Sequence, residues 1–306
     1  MPAPSAEKLL QRLEWTVIRR LDGLLQGDYR TLFRGDGLDL ADLREYQPGD
    51  DIRRMDWNVT ARTQTPHVRV HHEDREIAGW LLLDLSPSVD FGSTGASKRQ
   101  ALLEFTGVIA RLLTRKGNRV GALFFGAELD GFIPARGGRR HVLHMLDALM
   151  ARPALARAPP TDLAALLRAA ADVIQRRSLV FLVSDFISAP GWERALSLLA
   201  RRHEVLAIRL VDPLELALPD LGMLVMQDAE TGEQLFVDTQ DRAFRRRFAA
   251  ATAQRETGLR DAFQRAGVDA LELSTDDDVG DAILAFANLR RGRASMRSGG
   301  GTEPLP

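Results

Sequence analysis

The chain has no cysteine, which excludes disulfides, thiolate metal ligands and a cysteine nucleophile, and fits a reducing compartment. Charge excess of either sign is also missing: the formal net charge is −1, so nothing favours nucleic acid or an anionic membrane as partner. No apolar run approaches the roughly 20 residues that a membrane span needs. Near the N-terminus Glu7, Lys8, Gln11, Arg12 and Glu14 interrupt any signal-peptide core. A cytoplasmic protein is expected, or one held at a membrane by another component. Several catalytic signatures are absent as well. No G-x-G-x-x-G turn follows the first buried strand, no lysine lies in a phosphate-binding loop, and no G-x-S-x-G elbow occurs. What remains, 306 residues at 45% apolar and 27% charged, is the composition of an ordinary globular chain.

The most informative stretch is Leu81-Leu82-Leu83-Asp84-Leu85-Ser86-Pro87-Ser88. An unbroken apolar run of strand length predicts a strand covered on both faces, at the centre of a parallel sheet. Its carboxyl end is where open α/β sheets hold ligands, beside the point where strand order reverses. Asp84, Ser86 and Ser88 place hard oxygen atoms there, which suits Mg²⁺ rather than Zn²⁺. The competing role for these side chains is to cap the next helix.

From residue 80 onward strands and helices alternate. Helices are predicted over Ser97–Lys116, His141–Met150, Thr161–Gln175, Gly191–Arg201, Arg242–Ala266 and Val279–Arg290. Strands are predicted over Arg119–Phe125, Leu179–Val183, Glu204–Leu210 and Ala270–Leu273, with a short edge strand at Phe132-Ile133 and a hairpin spanning Met223–Asp238. This rhythm calls for a doubly wound, mostly parallel α/β sheet with helices on both faces, Rossmann-like in layout. There is no internal repeat.

The first 78 residues do not follow that rhythm. Leu9, Leu10, Leu13, Val17, Ile18, Leu21, Leu24 and Leu25 predict an amphipathic helix over residues 6–26 that packs on its own domain. Residues 35–72 hold interleaved Arg and Asp around Tyr46, Ile52, Met55 and Trp57, expected as a small β-rich extension that is covered and locked by ion pairs. His67, His71 and His72 lack a ligand spacing suited to zinc. The domain boundaries expected are 1–78 for the helix and extension, 79–291 for the α/β domain, and 292–306 for a disordered Gly- and Pro-containing tail.

Three loops carry oxygen side chains that such a sheet would bring together: Asp84, Ser86 and Ser88 after the first strand, Thr161 before a helix, and Asp185 after the second buried strand. Five oxygens plus waters make an octahedral Mg²⁺ (or Mn²⁺) site. With two carboxylates and hydroxyls as ligands the ion keeps an open position for a partner's acid. Thr161 also suits a helix cap, and Asp185 could pair with an arginine.

The order D-x-S-x-S, then Thr, then Asp resembles the metal-ion-dependent adhesion site of von Willebrand factor A-like domains. The run REYQPGDDIRRMDWNVTART, with Arg44, Tyr46, Gly49, Asp50, Asp51, Arg53, Asp56, Trp57 and Arg62, resembles the signature of the domain-of-unknown-function family 58. The resemblance implies an α/β domain with Asp84, Ser86, Ser88, Thr161 and Asp185 as metal ligands. It further implies a bacterial protein acting with a MoxR-type AAA+ ATPase or that ATPase's client. Ser184-Asp185-Phe186 stands where many A domains have Thr-Asp-Gly, and Pro87 stiffens the metal loop. A metal-dependent binding module without catalysis is therefore expected. The alternatives are a Mg²⁺-dependent phosphohydrolase, disfavoured because Ser86 stands where a second acid is needed, and a structural domain with a vestigial site.

Overall fold

The computed structural model describes residues 5–24, 42–47, 50, 52, 55–70, 78–93, 95–155 and 158–298. At the N-terminus Ser5 caps helix α1 (Ala6–Leu13), which continues through one π-helical segment (Glu14–Ile18) into α2 (Arg19–Leu24). The predicted apolar stripe is buried: Leu9, Leu10, Leu13, Val17, Ile18 and Leu21 join the main core. Gly107 makes the close approach possible, since a Cβ there would lie 2.9 Å from Leu13 Cδ1. The signature segment forms β1 (Asp42–Glu45), α3 (Trp57–Thr63) and β2 (His67–Val70), with β1 and β2 antiparallel. This is the expected β-rich extension. The expected cover is absent for two residues, however. Trp57 is 65% exposed and Ile52 59% exposed.

The α/β rhythm then begins. In chain order come β3 (Ala78–Asp84), a 3-10 turn (Pro87–Asp90), α4 (Lys98–Arg115), β4 (Arg119–Phe125), β5 (Leu129–Arg136), α5 (Arg139–Met150), α6 (Leu163–Val173), β6 (Leu179–Ser184), α7 (Trp192–Arg202), β7 (Glu204–Val211) and a short α8 (Pro213–Leu216). A hairpin of β8 (Met223–Gln227) and β9 (Gln234–Asp238) follows, then α9 (Arg242–Ala266), β10 (Asp269–Ser274) and α10 (Val279–Ser298). The six-stranded sheet has the order β10-β7-β6-β3-β4-β5. Every pairing is parallel except that of β5 on β4.

Most predicted bounds shift by one or two residues, and two elements shift by more. β5 is a full eight-residue edge strand rather than Phe132-Ile133 alone. Helix α10 continues to Ser298, beyond both Arg290 and the predicted start of the tail; residues 299–306 lie outside the described residues.

Alternation along the strands divides the core in two. Leu81, Leu83, Phe124, Phe181, Val183 and Ile208 face one layer, covered by the N-terminal helices, α4, α5 and α10. Leu82, Leu123, Val180, Leu182 and Ala207 face the other, covered by α6, α7 and α9. The chain leaves β3 on one side for β4 and β5, then returns to β3's other side for β6 and β7. The carboxyl ends of β3 and β6 therefore flank the switch point, where both predicted acids lie.

Candidate functional site

Asp84 ends β3 and is wholly buried. Its Oδ1 accepts the Ser86 N–H (3.0 Å) and its Oδ2 accepts the Ser184 hydroxyl (2.6 Å) from the end of β6. Ser86 and Ser88 share a hydrogen bond of 3.1 Å between their hydroxyls. Burial, then the charge of Asp185, push the Asp84 carboxyl up to about 6 against the pull of those hydrogen bonds. The β3 loop residues and the end of β6 are thus in contact, as the topology requires.

Asp185 carries a partner that the sequence did not announce. Lys98, the first residue of α4, is completely buried, and its Nζ donates to Asp185 Oδ2 (2.7 Å) and Glu215 Oε1 (2.6 Å). Burial alone would lower the Lys98 pKa. The charges of Asp185 and Glu215 and their hydrogen bonds overcome this and hold it above the ordinary lysine value. A lysine thus enters the cluster from α4 rather than from one of its loops, and it is a paired ammonium and not a free base. The line continues through Glu215 Oε2, which accepts the Asp212 N–H (3.2 Å). Asp212 accepts from Ser93 N (2.8 Å), Ser93 Oγ (2.6 Å), Leu214 N (3.0 Å) and Thr275 Oγ1 (3.0 Å). Burial opposes ionisation there, but these bonds prevail and hold its carboxyl below the ordinary range. They tie the ends of β3, β7 and β10 together.

Thr161 joins the cluster through its backbone. Its carbonyl accepts Ser188 Oγ (2.8 Å) and Ala189 N (2.8 Å), from the loop that carries Asp185. Its hydroxyl donates to Glu230 Oε1 (2.6 Å), at the tip of the β8–β9 hairpin. Asp162, next in sequence, is the helix cap, accepting Ala165 N at 3.0 Å. The Thr161 hydroxyl is thus directed to the hairpin, and Thr161 meets the Asp185 loop through its backbone.

At Phe186 the backbone takes φ +58°, in the left-handed region that a glycine at this position would enter freely. A phenylalanine is held there because its ring is buried against Trp192 (5.4 Å) and Phe263 (4.9 Å). Lys98, Glu215, Asp212 and Glu230 were missed. Local signals existed for the first three: a lysine in the first turn of a helix opposes the helix dipole, and Asp212 with Glu215 forms a D-x-x-E capping box.

The side chains present suit a small hard cation. Asp84 is a buried carboxylate whose hydrogen-bond donors are neutral, and among the described residues no ammonium or guanidinium pairs with it. Of the four buried or half-buried acids here, Asp185 and Glu215 pair with the ammonium of Lys98, while the bonds to Asp84 and Asp212 come from neutral donors. Among the described residues no three His, Asp or Glu side chains are grouped to hold a metal, so a cation here would need hydroxyl ligands as well.

The signature residues lie elsewhere. Asp56 is buried and caps α3 through Val59 N (3.1 Å), Asp50 Oδ2 accepts Gln47 N (2.9 Å), and Tyr46 N donates to the Pro66 carbonyl (2.8 Å). Arg62 is exposed in the last turn of α3, and Arg44 lies in β1. Gly49, Asp51 and Arg53, with the expected ion-pair network, lie outside the described residues, as do His71 and His72. His67 Nδ1 lies 2.7 Å from the Thr65 carbonyl, a turn contact.

Fold and site together define a mostly parallel α/β domain with an acid-and-hydroxyl cluster at its switch point. Residues 42–258 match the family described as "Protein of unknown function DUF58", and the chain belongs to that family. An uncharacterized protein of Mycobacterium tuberculosis strain H37Rv is 40% identical over 292 residues, covering 94% of this chain and 91% of its own length. One from Mycobacterium bovis gives the same figures. Among solved structures, an aerotolerance-related membrane protein of Bacteroides fragilis is similar at 13% identity and a TM-score of 0.47, over 71% of this chain and 99% of its own. BatB of Bacteroides thetaiotaomicron gives 13% and 0.42, over 72% and 99%. No helix among the described residues is long and apolar enough to cross a membrane.

Proposed function

We propose that this protein is a cation-dependent protein-binding module of von Willebrand factor A-like type, and that it binds without catalysing. Asp84, Ser86, Ser88, Thr161 and Asp185 would hold Mg²⁺ or Mn²⁺, and the bound ion would offer an open coordination position for a partner's Asp or Glu. The observation that carries the reading is the Asp84 carboxylate, buried at the switch point beside Asp185 with only neutral donors. A buried charge without a counter-ion is costly, and a divalent cation is its simplest complement. Lys98, the basic side chain found in the cluster, is protonated between two acids, so it cannot activate Ser86 or Ser88 as a nucleophile.

The partner we propose is a MoxR-type AAA+ ATPase or its client, with this chain as adaptor. Pull-down of that ATPase should require Mg²⁺ and be lost with chelator or with Ser86→Ala plus Ser88→Ala. Association that survives both would refute the reading, and hydrolytic turnover lost in Asp84→Asn would favour the phosphohydrolase instead. One observation favours a structural domain without a working cation site: Lys98 already neutralises Asp185 from within.

A further inference from the structure

The β8–β9 hairpin stands apart from the main sheet as a two-stranded sheet of its own. One of its faces is apolar and solvent-facing. Val225 and Phe236 are paired across the strands, Met223 is two residues before Val225, and Phe236 is 71% exposed. The tip is built to aim one side chain. Asp228 Oδ1 accepts the backbone N–H groups of Glu230 (2.9 Å) and Thr231 (2.7 Å), and Gly232 N donates to the Asp228 carbonyl (2.9 Å) at φ +75°. The Asp228 carboxyl is held below its ordinary range by the Thr231 bonds.

The aimed residue is Glu230. Its carboxylate takes three hydrogen bonds from Thr161: the hydroxyl at 2.6 Å and the N–H at 3.2 Å and 3.3 Å to its two oxygens. Its carbonyl accepts Ala158 N at 3.2 Å. Thr161 is therefore contacted by a carboxylate that arrives from outside the loop cluster, which is what an acidic partner would provide. A hydroxyl has one donor and two lone pairs, so Thr161 can hold Glu230 and still offer an oxygen to a cation.

We propose that the hairpin is a latch: Glu230 occupies the Thr161 hydroxyl and N–H at the edge of the cluster, and an acidic partner segment binds by taking that place from Glu230. This rests on the binding-module reading above and adds its regulation. The exchange breaks three hydrogen bonds and makes equivalent ones, so the cost lies in freeing the hairpin. Free hairpin and acidic segment are then mutually exclusive with the closed state.

The test uses the full chain, wild type against Glu230→Ala and the milder Glu230→Gln, with Mn²⁺ alone and with an acetylated hexaglutamate peptide as probes. In chelator, amide hydrogen exchange at Ala158, Thr161 and residues 223–238 should quicken at least tenfold in Glu230→Ala, while β3, β6 and β7 keep their protection. Glu230→Gln should lie between. With Mn²⁺ present, the peptide should bind Glu230→Ala at least tenfold more tightly than wild type, at Mn²⁺ affinities within about threefold of each other. Unchanged hairpin exchange, or equal peptide affinity at equal Mn²⁺ loading, would overturn the latch. If neither protein binds Mn²⁺, the cation reading fails on its own, and the latch stands or falls on the exchange data.

Discussion

Replacing Asp84 with Asn should stabilise the protein when no divalent ion is present. The carboxyl is raised from its ordinary 3.8 to about 6 by burial and by Asp185. At ~1.4 kcal/mol for each pKa unit, the ionised form costs roughly 3 kcal/mol at neutral pH. An amide removes that charge. It keeps an oxygen for the Ser86 N–H and turns an NH₂ toward Ser184 Oγ, which already accepts Phe186 N at 2.9 Å, so about 1 kcal/mol of hydrogen bonding is lost. The net gain is therefore about 1–2 kcal/mol. Its pH dependence has a definite sign. Between about pH 4 and 6 the folded wild type binds a proton that the unfolded chain has released, so this group's contribution falls as pH rises through that window. Asp84→Asn lacks that dependence. Urea unfolding in chelator at pH 7.5, 6.5 and 5.0 should show the variant's advantage shrinking to nothing at the acid end. With Mg²⁺ at about 100 times its Kd the wild type should gain about 2.7 kcal/mol and overtake it. A variant that is less stable at pH 7.5 in chelator, or an advantage that ignores pH, would refute the reasoning.

Lys98→Met should destabilise by about 3–5 kcal/mol in chelator, because it leaves Asp185 and Glu215 buried without their counter-charge; partial rescue by Mg²⁺ in the same melts would support the cation reading. Phe186→Ala should cost about 3–4 kcal/mol through lost packing on Trp192 and Phe263. Phe186→Gly should cost no more than Phe186→Ala, because glycine enters φ +58° freely; denaturant midpoints that put Gly well below Ala would contradict the strain. His203 is buried with neither ring nitrogen hydrogen-bonded, and burial, then Arg202 and Arg177, hold its pKa below 6.5. The unfolded chain is protonated first, so this contribution is complete above about pH 6.5 and is lost as pH falls below it. His203→Leu should flatten the decline seen in wild-type unfolding between pH 7 and 5.5.

Much of the fold was legible because local signals agreed with the tertiary result. The bounds of β4 and α9 match the predicted ones at both ends, since Gly117-Asn118 stops α4, Asp241 caps α9 and Gly267 takes φ +66° at its end. The long triple-leucine run identified the central strand because only a strand covered on both faces is apolar throughout. Strand β5 was read too short because Asp130, Gly131 and Arg136 break the apolar run and it contains Pro134, which an edge strand tolerates. At the site, Asp84, Ser86, Ser88 and Asp185 were read from their position after strands, and Thr161 from its position before a helix. The burial of Lys98 and the reach of Glu230 were not, for both depend on which loops meet after folding. Residue spacing within one loop does not carry that.

The central claim is that the switch-point cluster holds a divalent cation through Asp84 and the two serines. Calorimetric titration of Mn²⁺ into the full chain tests it most directly, alongside Asp84→Asn and the Ser86→Ala, Ser88→Ala double variant, each shown folded by circular dichroism. One ion per chain for wild type, and none for either variant, is the predicted result. No heat with wild type, or the same binding in all three, would contradict the account.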